Sequence, residues 1–492
     1  MHSRSDLTIQ YRTILMNIGW LCIASSFLFL TPLTALVFYP QEAHYALCFV
    51  QAGFISFTFG LVLYLLFRKG SWNKEITYQS GAVIVVSIWT LIIFFSALTF
   101  LFARLCNFTQ AMFESASGWT TTGLTIMDVA NTPQIFLFWR SIIQFVGGAG
   151  FAVIMLSSIA GGVSAGVYRA EGRSDNLLPN IKKTAKSILI IYFSYALFGF
   201  VALIATGTHP ADAFHHTLTG LATGGFSNRA GNVGEIDRLS TEIILIALML
   251  LGATSFGIHF LIWQRSFHTI RKNVEPKLFF FLLALFSVLI VVAITGIVYP
   301  NLPETIRHSV FQAVSAISGT GFQTTNFSGW PQSALFLLIL LMCCGGMMDS
   351  TAGGVKQLRL YILFKAVAIE IVHFCLPVGS IRKYTIWKGN TRIDLDERLI
   401  KNTAVFFTLF GAHFLIGVSI FLFLGYDLTT ACFELASALN NVGMSLGATN
   451  ANASGVFLWN QIFAMFFGRL EFAVILFAIS KVVRDGIQVV RA

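Results

Sequence analysis

Long runs of apolar residues dominate the chain, and polar residues collect in the short segments between them. A helix needs about 20 apolar residues to cross the roughly 30 Å hydrocarbon core of a bilayer. A run of this kind can satisfy its own backbone polar groups in lipid only as a helix. The pattern therefore predicts an all-α membrane protein with about ten transmembrane helices. The runs span 13–39, 46–67, 81–103, 134–163, 186–206, 241–263, 278–299, 332–375, 402–425 and 457–483.

The composition supports a membrane protein. Of the 492 residues, 56% are hydrophobic and 11% are charged, whereas soluble domains carry about 25% charged residues. A soluble enzyme and a disordered chain are therefore both excluded.

The positive charges predict the orientation in the membrane. Most of the 32 Lys and Arg residues fall in alternate connections between the apolar runs. Because basic loops stay on the cytoplasmic side, both termini are expected to be cytoplasmic. The basic segments are short and separate, so the net charge of +10 indicates topology, and no nucleic acid is expected as a partner. These segments are 1–12, 68–74, 169–186, 265–277, 356–365, 382–401 and 481–491.

The connections on the opposite side contain one pattern that occurs four times. Its copies read FESASGWTTTGLT, HHTLTGLATGGFS, FQAVSAISGTGFQ and FELASALNNVGMS. Each copy has an anchor glycine, at Gly123, Gly225, Gly321 and Gly443. A hydroxyl residue stands six positions before each anchor, at Ser117, Thr219, Ser315 and Ser437. A polar residue stands nine positions before it, at Glu114, His216, Gln312 and Glu434. Such registered repetition indicates a repeated architecture.

The repeated unit is interpreted as a helix, a short re-entrant helix, an extended glycine-bearing strip and a second helix. Four units follow an N-terminal two-helix hairpin. The predicted divisions are the hairpin at 1–70 and repeats at 71–168, 169–270, 271–378 and 379–492.

Non-helical backbone at membrane depth persists only when it is buried in protein or lines a water-filled cavity. Four strips around one axis would form a ring of carbonyl oxygens that can replace the hydration shell of a monovalent cation. The negative ends of the short helices would also favour a cation there. The alternative is that the strips are glycine-rich packing turns. The polar residues nine positions before the anchors either brace the strips or contribute to an ion site.

Two further features lie in the apolar runs. Residues 345–354, GGMMDSTAGG, interrupt the run 332–375, and such polar backbone is expected to line a pore rather than face lipid. A simple helix kink is the alternative. Arg469 lies well inside the last run, where an arginine is costly and indicates a functional or paired role. An ion pair with Glu370 or Asp349 is compatible with such a role.

The four strips, the glycine-rich interruption and the membrane arginine together resemble the Trk/Ktr/HKT superfamily of potassium transporters. The extra N-terminal helix pair resembles its TrkH branch. This resemblance covers essentially the whole chain and implies four pseudo-symmetric helix–pore-helix–helix repeats. It also implies that backbone carbonyls of the strips bind potassium, and four glycine anchors are similar to those of potassium-selective members. The implied metal-binding residues are Thr121, Thr122, Gly123, Thr223, Gly224, Gly225, Gly319, Thr320, Gly321, Asn441, Val442 and Gly443.

The resemblance further implies that the loop 345–354 obstructs the pore and that Arg469 projects toward it as an electrostatic barrier. Asp349 stands where the family usually has glycine, and Met347 and Met348 are bulky for this loop. The implied gate residues are Gly345, Gly346, Asp349, Gly353, Gly354 and Arg469.

The expected function is potassium uptake across a bacterial cytoplasmic (inner) membrane, with potassium as the transported ion and no organic cofactor. The resemblance implies a homodimer, contacts with membrane lipid and a cytoplasmic nucleotide-binding regulatory subunit. A sodium-permeable or cation-coupled member of the same superfamily is the first alternative, and channel or symporter behaviour stays open. A polytopic membrane enzyme is the alternative from another class.

Overall fold

The computed structural model describes residues 4–69, 76–151, 181–375, 384–389 and 391–491. Most of them are helical, which confirms the predicted all-α class. The predicted boundaries near residues 70, 168 and 378 lie outside the described residues, as does the end of the apolar run 134–163.

The N-terminal hairpin is formed by two helices joined by 3₁₀ turns. Its elements are α1 (Arg4–Ser26), 3₁₀ segments Phe27–Val37 and Pro40–Tyr45, and α2 (Ala46–Phe67). The two helices cross at Gly19 and Gly60, where a Cβ atom on either glycine would lie within 2.7 Å of the other's carbonyl oxygen. Small residues at this crossing therefore allow the close backbone approach that is typical of membrane helix pairs.

The same order of elements then occurs four times. The first repeat contains α3 (Tyr78–Phe102), α4 (Phe108–Trp119) and α5 (Gln134–Gly148). The second contains α6 (Ile181–Ala205), α7 (Pro210–Leu221), a 3₁₀ turn (Asn232–Glu235), α8 (Leu239–Ala253) and α9 (Phe256–Trp263). The third follows the short helix α10 (Phe267–Lys272) and contains α11 (Val274–Ile294), α12 (Leu302–Ser318), α13 (Gln332–Cys344) and α14 (Gln357–Phe374).

A small antiparallel hairpin, β1 (Thr385–Lys388) and β2 (Thr391–Asp394), precedes the fourth repeat. That repeat contains α15 (Glu397–Phe423), α16 (Leu428–Leu439), α17 (Gly455–Leu470) and α18 (Phe472–Arg491). In each repeat the short helix, α4, α7, α12 or α16, is the element that the sequence predicts as re-entrant.

Local capping explains where two of the short helices begin. Asn107 and Gln110 form a reciprocal capping box at the start of α4, with both hydrogen bonds 3.0 Å long. Asp427 caps α16 by accepting a hydrogen bond from the Thr430 N–H at 3.0 Å. Such caps satisfy backbone donors that the first helical turn cannot pair internally.

Six helices in the described part of the chain are long and apolar enough to cross a membrane. Large apolar side chains lie on their outer surfaces, including Phe54, Phe198, Val292 and Phe423. An outward-facing apolar surface of this extent is compatible with lipid and not with water. The chain is therefore a multi-pass membrane protein.

The structure differs from the expectation of single straight spans at 241–263 and 457–483. Helices α8 and α9 meet at 106°, and α17 and α18 meet at 96°. At the first bend Ser255 starts a new helix by accepting a hydrogen bond from the Ile258 N–H. At the second, Glu471 takes a left-handed conformation with φ of +63°, which an α-helix does not accommodate. Both breaks lie on one side of the strips, where α13 also ends before residues 345–354.

Candidate functional site

A strip of non-helical backbone begins where each short helix ends. The short helices end at Trp119, Leu221, Ser318 and Leu439. Each predicted anchor glycine follows three or four residues later. The four copies of the sequence motif therefore fold alike, as a short helix followed by a strip.

The strips share one unusual backbone conformation. In chain order, φ at the anchor glycines is +88°, +73°, +81° and +96°. Two positions earlier φ is again positive, at Thr121, Thr223, Gly319 and Asn441, whereas the residue between has negative φ. Alternation of left-handed and right-handed residues turns successive N–H groups to one side of the chain. The carbonyl groups consequently face the other side.

The N–H side of each strip faces its own short helix. In the first strip the Thr122 N–H donates to the carbonyl oxygen of Ser117 at 2.9 Å. The same bond recurs from Gly224 to Thr219 at 2.8 Å, from Thr320 to Ser315 at 3.0 Å and from Val442 to Ser437 at 2.9 Å. These backbone donors are therefore satisfied, and the carbonyl groups point away from the short helices.

The four anchors close a ring. A Cβ atom on Gly123 would overlap the carbonyl oxygen of Gly224 in the second strip. The same overlap joins each remaining strip to the next and the fourth to the first: Gly225 to Thr320, Gly321 to Val442, and Gly443 to Thr122. Four strips that contact each other in this cyclic order surround a common axis. Glycine at the anchor is needed both for this approach and for its positive φ.

The repeated hydroxyl residues tie each strip to its short helix. Ser117, Thr219 and Ser315 donate to the carbonyl oxygen of the residue after the anchor, at 2.6, 2.8 and 2.8 Å. In the fourth strip Ser437 instead accepts a hydrogen bond from the Gly443 N–H at 3.0 Å. The hydroxyl six positions before the anchor therefore has a structural role in every repeat.

The repeated polar residues nine positions before the anchors brace the outer end of the strips. Glu114 accepts a hydrogen bond from the Thr125 hydroxyl at 2.9 Å, and Glu434 accepts one from Ser445 at 2.6 Å. His216 lies 3.0 Å from the Ser227 hydroxyl, and Gln312 donates to Thr324 at 3.2 Å. All four are fully buried, so these contacts confirm the bracing interpretation.

A buried ion pair links the first two strips. Arg140 on α5 lies 2.7 Å from the carboxylate of Glu114, and both side chains are almost fully buried. The Arg140 guanidinium also stacks 3.9 Å from the ring centroid of Phe226, directly after the second anchor. Because a buried charge needs a partner, the pair holds α4, α5 and the second strip together.

The second strip has a support that the sequence did not reveal. The side chain of Gln144 on α5 donates to the Gly224 carbonyl oxygen at 2.6 Å and accepts from the Phe226 N–H at 3.1 Å. It thus bonds the backbone on both sides of the anchor Gly225. The corresponding positions of the other repeats are Ile246, Met342 and Ala464, so the motif gave no signal for it.

The glycine-rich segment 345–354 lies directly under the ring. A Cβ atom on Gly353 would overlap the Asn440 carbonyl oxygen, and one on Gly319 would lie 3.4 Å from the Gly353 nitrogen. The Thr351 hydroxyl lies 3.1 Å from the hydroxyl of Thr223. The segment therefore contacts the second, third and fourth strips. It is a true loop between α13 and α14, and a simple helix kink is wrong.

Arg469 reaches this loop from α17. Its guanidinium donates to the Thr351 carbonyl oxygen at 3.0 Å, to the Gly147 carbonyl oxygen, and to the Thr121 hydroxyl at 3.4 Å. It also lies 5.7 Å from the ring centroid of Trp89. Arg469 thus joins the loop to the first strip. The loop and Arg469 together therefore contact all four strips.

The acids near Arg469 have other basic partners. Glu471 pairs with Arg359 at 2.5 Å. Asp349 pairs with Lys388 of strand β1 at 3.0 Å. Sequence reasoning missed Lys388, because it treated 382–401 as one of the basic connections and nothing in the motif linked it to residue 349.

The arrangement can select and obstruct a small cation. A ring of backbone carbonyls substitutes for hydration water, the short-helix carboxyl ends add negative potential, and a positive charge below the ring opposes cation passage. The structure brings all four sequence-predicted strips and all the predicted gate residues into this one region.

Comparisons with known proteins point to cation transport. A family model described as TrkH, a cation transport protein, matches residues 47–486. The chain is 31% identical over 482 residues to the Trk system potassium uptake protein TrkH of Salmonella typhimurium, covering 94% of this chain and 97% of the relative. It is 30% identical to an uncharacterized cation transporter of Methanocaldococcus jannaschii, covering 90% of each.

A solved structure gives the same likeness. The crystal structure of the potassium transporter TrkH from Vibrio parahaemolyticus matches with a TM-score of 0.82 and 28% sequence identity. The match covers 95% of this chain and 98% of that one. The likeness therefore extends over almost the whole chain.

Proposed function

Because the chain belongs to the TrkH family of cation transport proteins, we propose that it takes up potassium across a bacterial cytoplasmic membrane. Its relatives are transporters and not enzymes, and so is this chain. The observation that carries the proposal is the cyclic contact of the four anchor glycines with the carbonyl oxygens of neighbouring strips.

Potassium binds, in this proposal, to the carbonyl oxygens of the strips at each anchor and the two preceding positions. Most backbone N–H groups at these positions are already hydrogen-bonded to their own short helices, so the carbonyl oxygens are the groups that can bind a cation. An inside-negative potential supplies about 2.3 kcal/mol per 100 mV for each ion, which is enough to drive uptake without a nucleotide site in this chain.

The loop 345–354 and Arg469 form the proposed gate. Gly345, Gly346, Gly353 and Gly354 give the loop its close contacts: a Cβ atom on any of them would lie within about 2.6 Å of neighbouring atoms. Arg469 holds Thr351 beneath the strips. Movement of this loop would open the axis below the ring, whereas the strips themselves would stay in place.

The proposal includes cytoplasmic termini, a homodimer and a cytoplasmic nucleotide-binding regulatory subunit. The distribution of Lys and Arg supports the orientation, and the resemblance to the Trk/Ktr/HKT superfamily supports the partners. Light scattering of the detergent-solubilised protein measures the dimer, and cysteine labelling at each terminus measures the orientation.

Uptake into vesicles tests the function. Vesicles loaded with potassium and containing the purified protein should accumulate rubidium, with external potassium competing far better than sodium. The Gly123→Ser variant should lose this discrimination, because its Cβ would overlap the Gly224 oxygen. Gly411→Ser is the matched control, since no atom lies within 4 Å of a Cβ there.

Two outcomes would separate the alternatives. Equal competition by sodium and potassium would overturn potassium selectivity in favour of a sodium-permeable transporter. Uptake that needs an acidic outside and stops when the proton gradient is collapsed at constant voltage would identify proton coupling.

A further inference from the structure

The small β hairpin is anchored beside the start of α11. The Asn273 side chain donates to the Gly389 carbonyl oxygen at 3.1 Å. The Lys272 ammonium lies 5.0 Å from the ring centroid of Trp387. These contacts fix the hairpin at one edge of the helical bundle.

From this position one side chain of the hairpin reaches the gate loop. The Lys388 ammonium lies 3.0 Å from the Asp349 carboxylate, and their side chains are 7% and 4% exposed. Two charges so thoroughly removed from water interact far more strongly than a surface pair, and removing one costs the other this partner.

The backbone at Asp349 adds a second argument. Its φ is +59°, in the left-handed region that glycine occupies without strain. A side chain at such a position costs free energy relative to glycine. The ion pair with Lys388 is one interaction that offsets this cost, and it is made by the hairpin that precedes α15.

The hairpin contacts the loop at Asp349, next to a second contact that holds the loop in place. The Met348 N–H donates to the carboxylate of buried Glu275 at the start of α11, at 2.6 Å. Three residues further along, Thr351 accepts a hydrogen bond from Arg469 under the strips. A displacement of residues 348–349 is therefore transmitted over a very short length of chain to the obstruction itself.

Other charged groups also face this point of the loop. A cavity of about 50 Å³ beneath the loop is lined in part by Asp349, Lys356, Arg469 and Glu471. Lys356 and Arg469 are the cationic side chains that line this cavity together with Asp349. Attraction of Arg469 toward Asp349 would weaken its hold on the Thr351 carbonyl.

We propose that Lys388 is a positioning residue for the gate loop. Through its ion pair with Asp349, the β hairpin holds the loop in its obstructing position. A displaced hairpin releases it. This inference rests on the proposed function, since it says which segment controls the position of the same gate loop.

Rubidium uptake into vesicles, with no other protein added, provides the test. Lys388→Gln and Asp349→Asn should each raise the basal rate about tenfold, as expected when a buried charge loses its partner. Combining them should add little, because the two residues act as one pair. Lys388→Arg should keep the low basal rate, and the exchanged pair Lys388→Asp with Asp349→Lys should restore it in part.

The matched control is Arg392→Gln, which removes an exposed positive charge from the neighbouring strand; its uptake should equal that of the wild type. Preference for potassium over sodium should stay unchanged in every variant, because none alters the strips. Size-exclusion chromatography and thermal midpoints identify misfolded variants, and Asp349→Asn tests the pair from its other side if Lys388→Gln does not fold.

Two results would overturn the inference. One is an unchanged basal rate in folded Lys388→Gln or Asp349→Asn, and the other is additive effects in the double variant. In both cases selective uptake by the wild type would leave the proposed function intact. Absence of rubidium uptake by the wild type and by Arg469→Gln alike would instead refute the proposed function.

Discussion

Gly321 in the third strip lies so close to Val442 in the fourth that a Cβ atom on the glycine would overlap the Val442 carbonyl oxygen. The same relation is repeated around the four strips, so each anchor glycine packs against a carbonyl group of the neighbouring strip. The ring therefore depends on the backbone more than on any side chain.

Gly321→Ala should accordingly abolish selective uptake. The substitution forces a side chain into left-handed φ, which costs about 1–2 kcal/mol, and it displaces the Val442 carbonyl as well. We expect at least a tenfold loss of rubidium uptake, measured in vesicles containing equal amounts of protein.

Gly411→Ala is the control for this change. It lies within α15 with open space around its Cβ position, and alanine favours a helix over glycine. Full uptake by Gly321→Ala would show that the strips do not carry the ion.

The repeats could be predicted from sequence because each anchor has the same physical requirement. The close backbone contact leaves no room for a Cβ atom, and positive φ favours glycine, so Gly123, Gly225, Gly321 and Gly443 stand in register. The bracing hydroxyl and polar residues kept their spacing for a similar reason, since one side chain must reach a fixed point on its own strip.

Other features left no local signal. The bend at Glu471 interrupts a run without glycine or proline at the break, so hydropathy gave a continuous helix. The contacts of Gln144 with Gly224 and of Lys388 with Asp349 join segments far apart in sequence. Only the packing of the helices brings them together, and no repeat or motif records it.

Neutralising Arg469 should raise basal uptake. Arg469→Gln loses charge-assisted hydrogen bonds to the carbonyl oxygens of Thr351 and Gly147, and such bonds contribute about 1.5–3 kcal/mol each. It also removes the positive charge below the ring. We expect about a tenfold increase in rubidium uptake in vesicles.

Arg271→Gln provides the comparison for Arg469, since Arg271 is exposed on α10 and should have no effect. Uptake by Arg469→Gln at the wild-type rate would show that Arg469 does not contribute to the gate.

The pair of Glu114 and Arg140 should show strong coupling in stability. Glu114→Gln leaves the Arg140 charge buried without its carboxylate, which typically costs about 3–5 kcal/mol. The thermal midpoint in detergent should fall markedly. The double variant Glu114→Leu with Arg140→Met should regain much of this loss, because a buried pair can be replaced by apolar side chains of similar volume.

Glu304→Gln is the control for the removal of a carboxylate, because Glu304 is exposed at the start of α12. Coupling between the two residues would be contradicted if the double variant were less stable than Glu114→Gln by as much as Arg140→Met alone is less stable than the wild type.

Gln144→Leu should weaken ion discrimination while leaving the fold intact. Leucine fills a similar volume on α5 but leaves the Phe226 N–H without its acceptor, at a cost of about 1–3 kcal/mol for a buried donor. The Gly224 carbonyl also loses its donor and gains freedom to reorient. Because sodium is the smaller ion, a less rigid ring should admit it more readily. Potassium should therefore compete only a few times better than sodium for rubidium uptake. Gln134→Leu, the same substitution at the start of α5, should retain wild-type competition. Unchanged discrimination in a folded Gln144→Leu variant would mean that the second strip is held in place without this side chain.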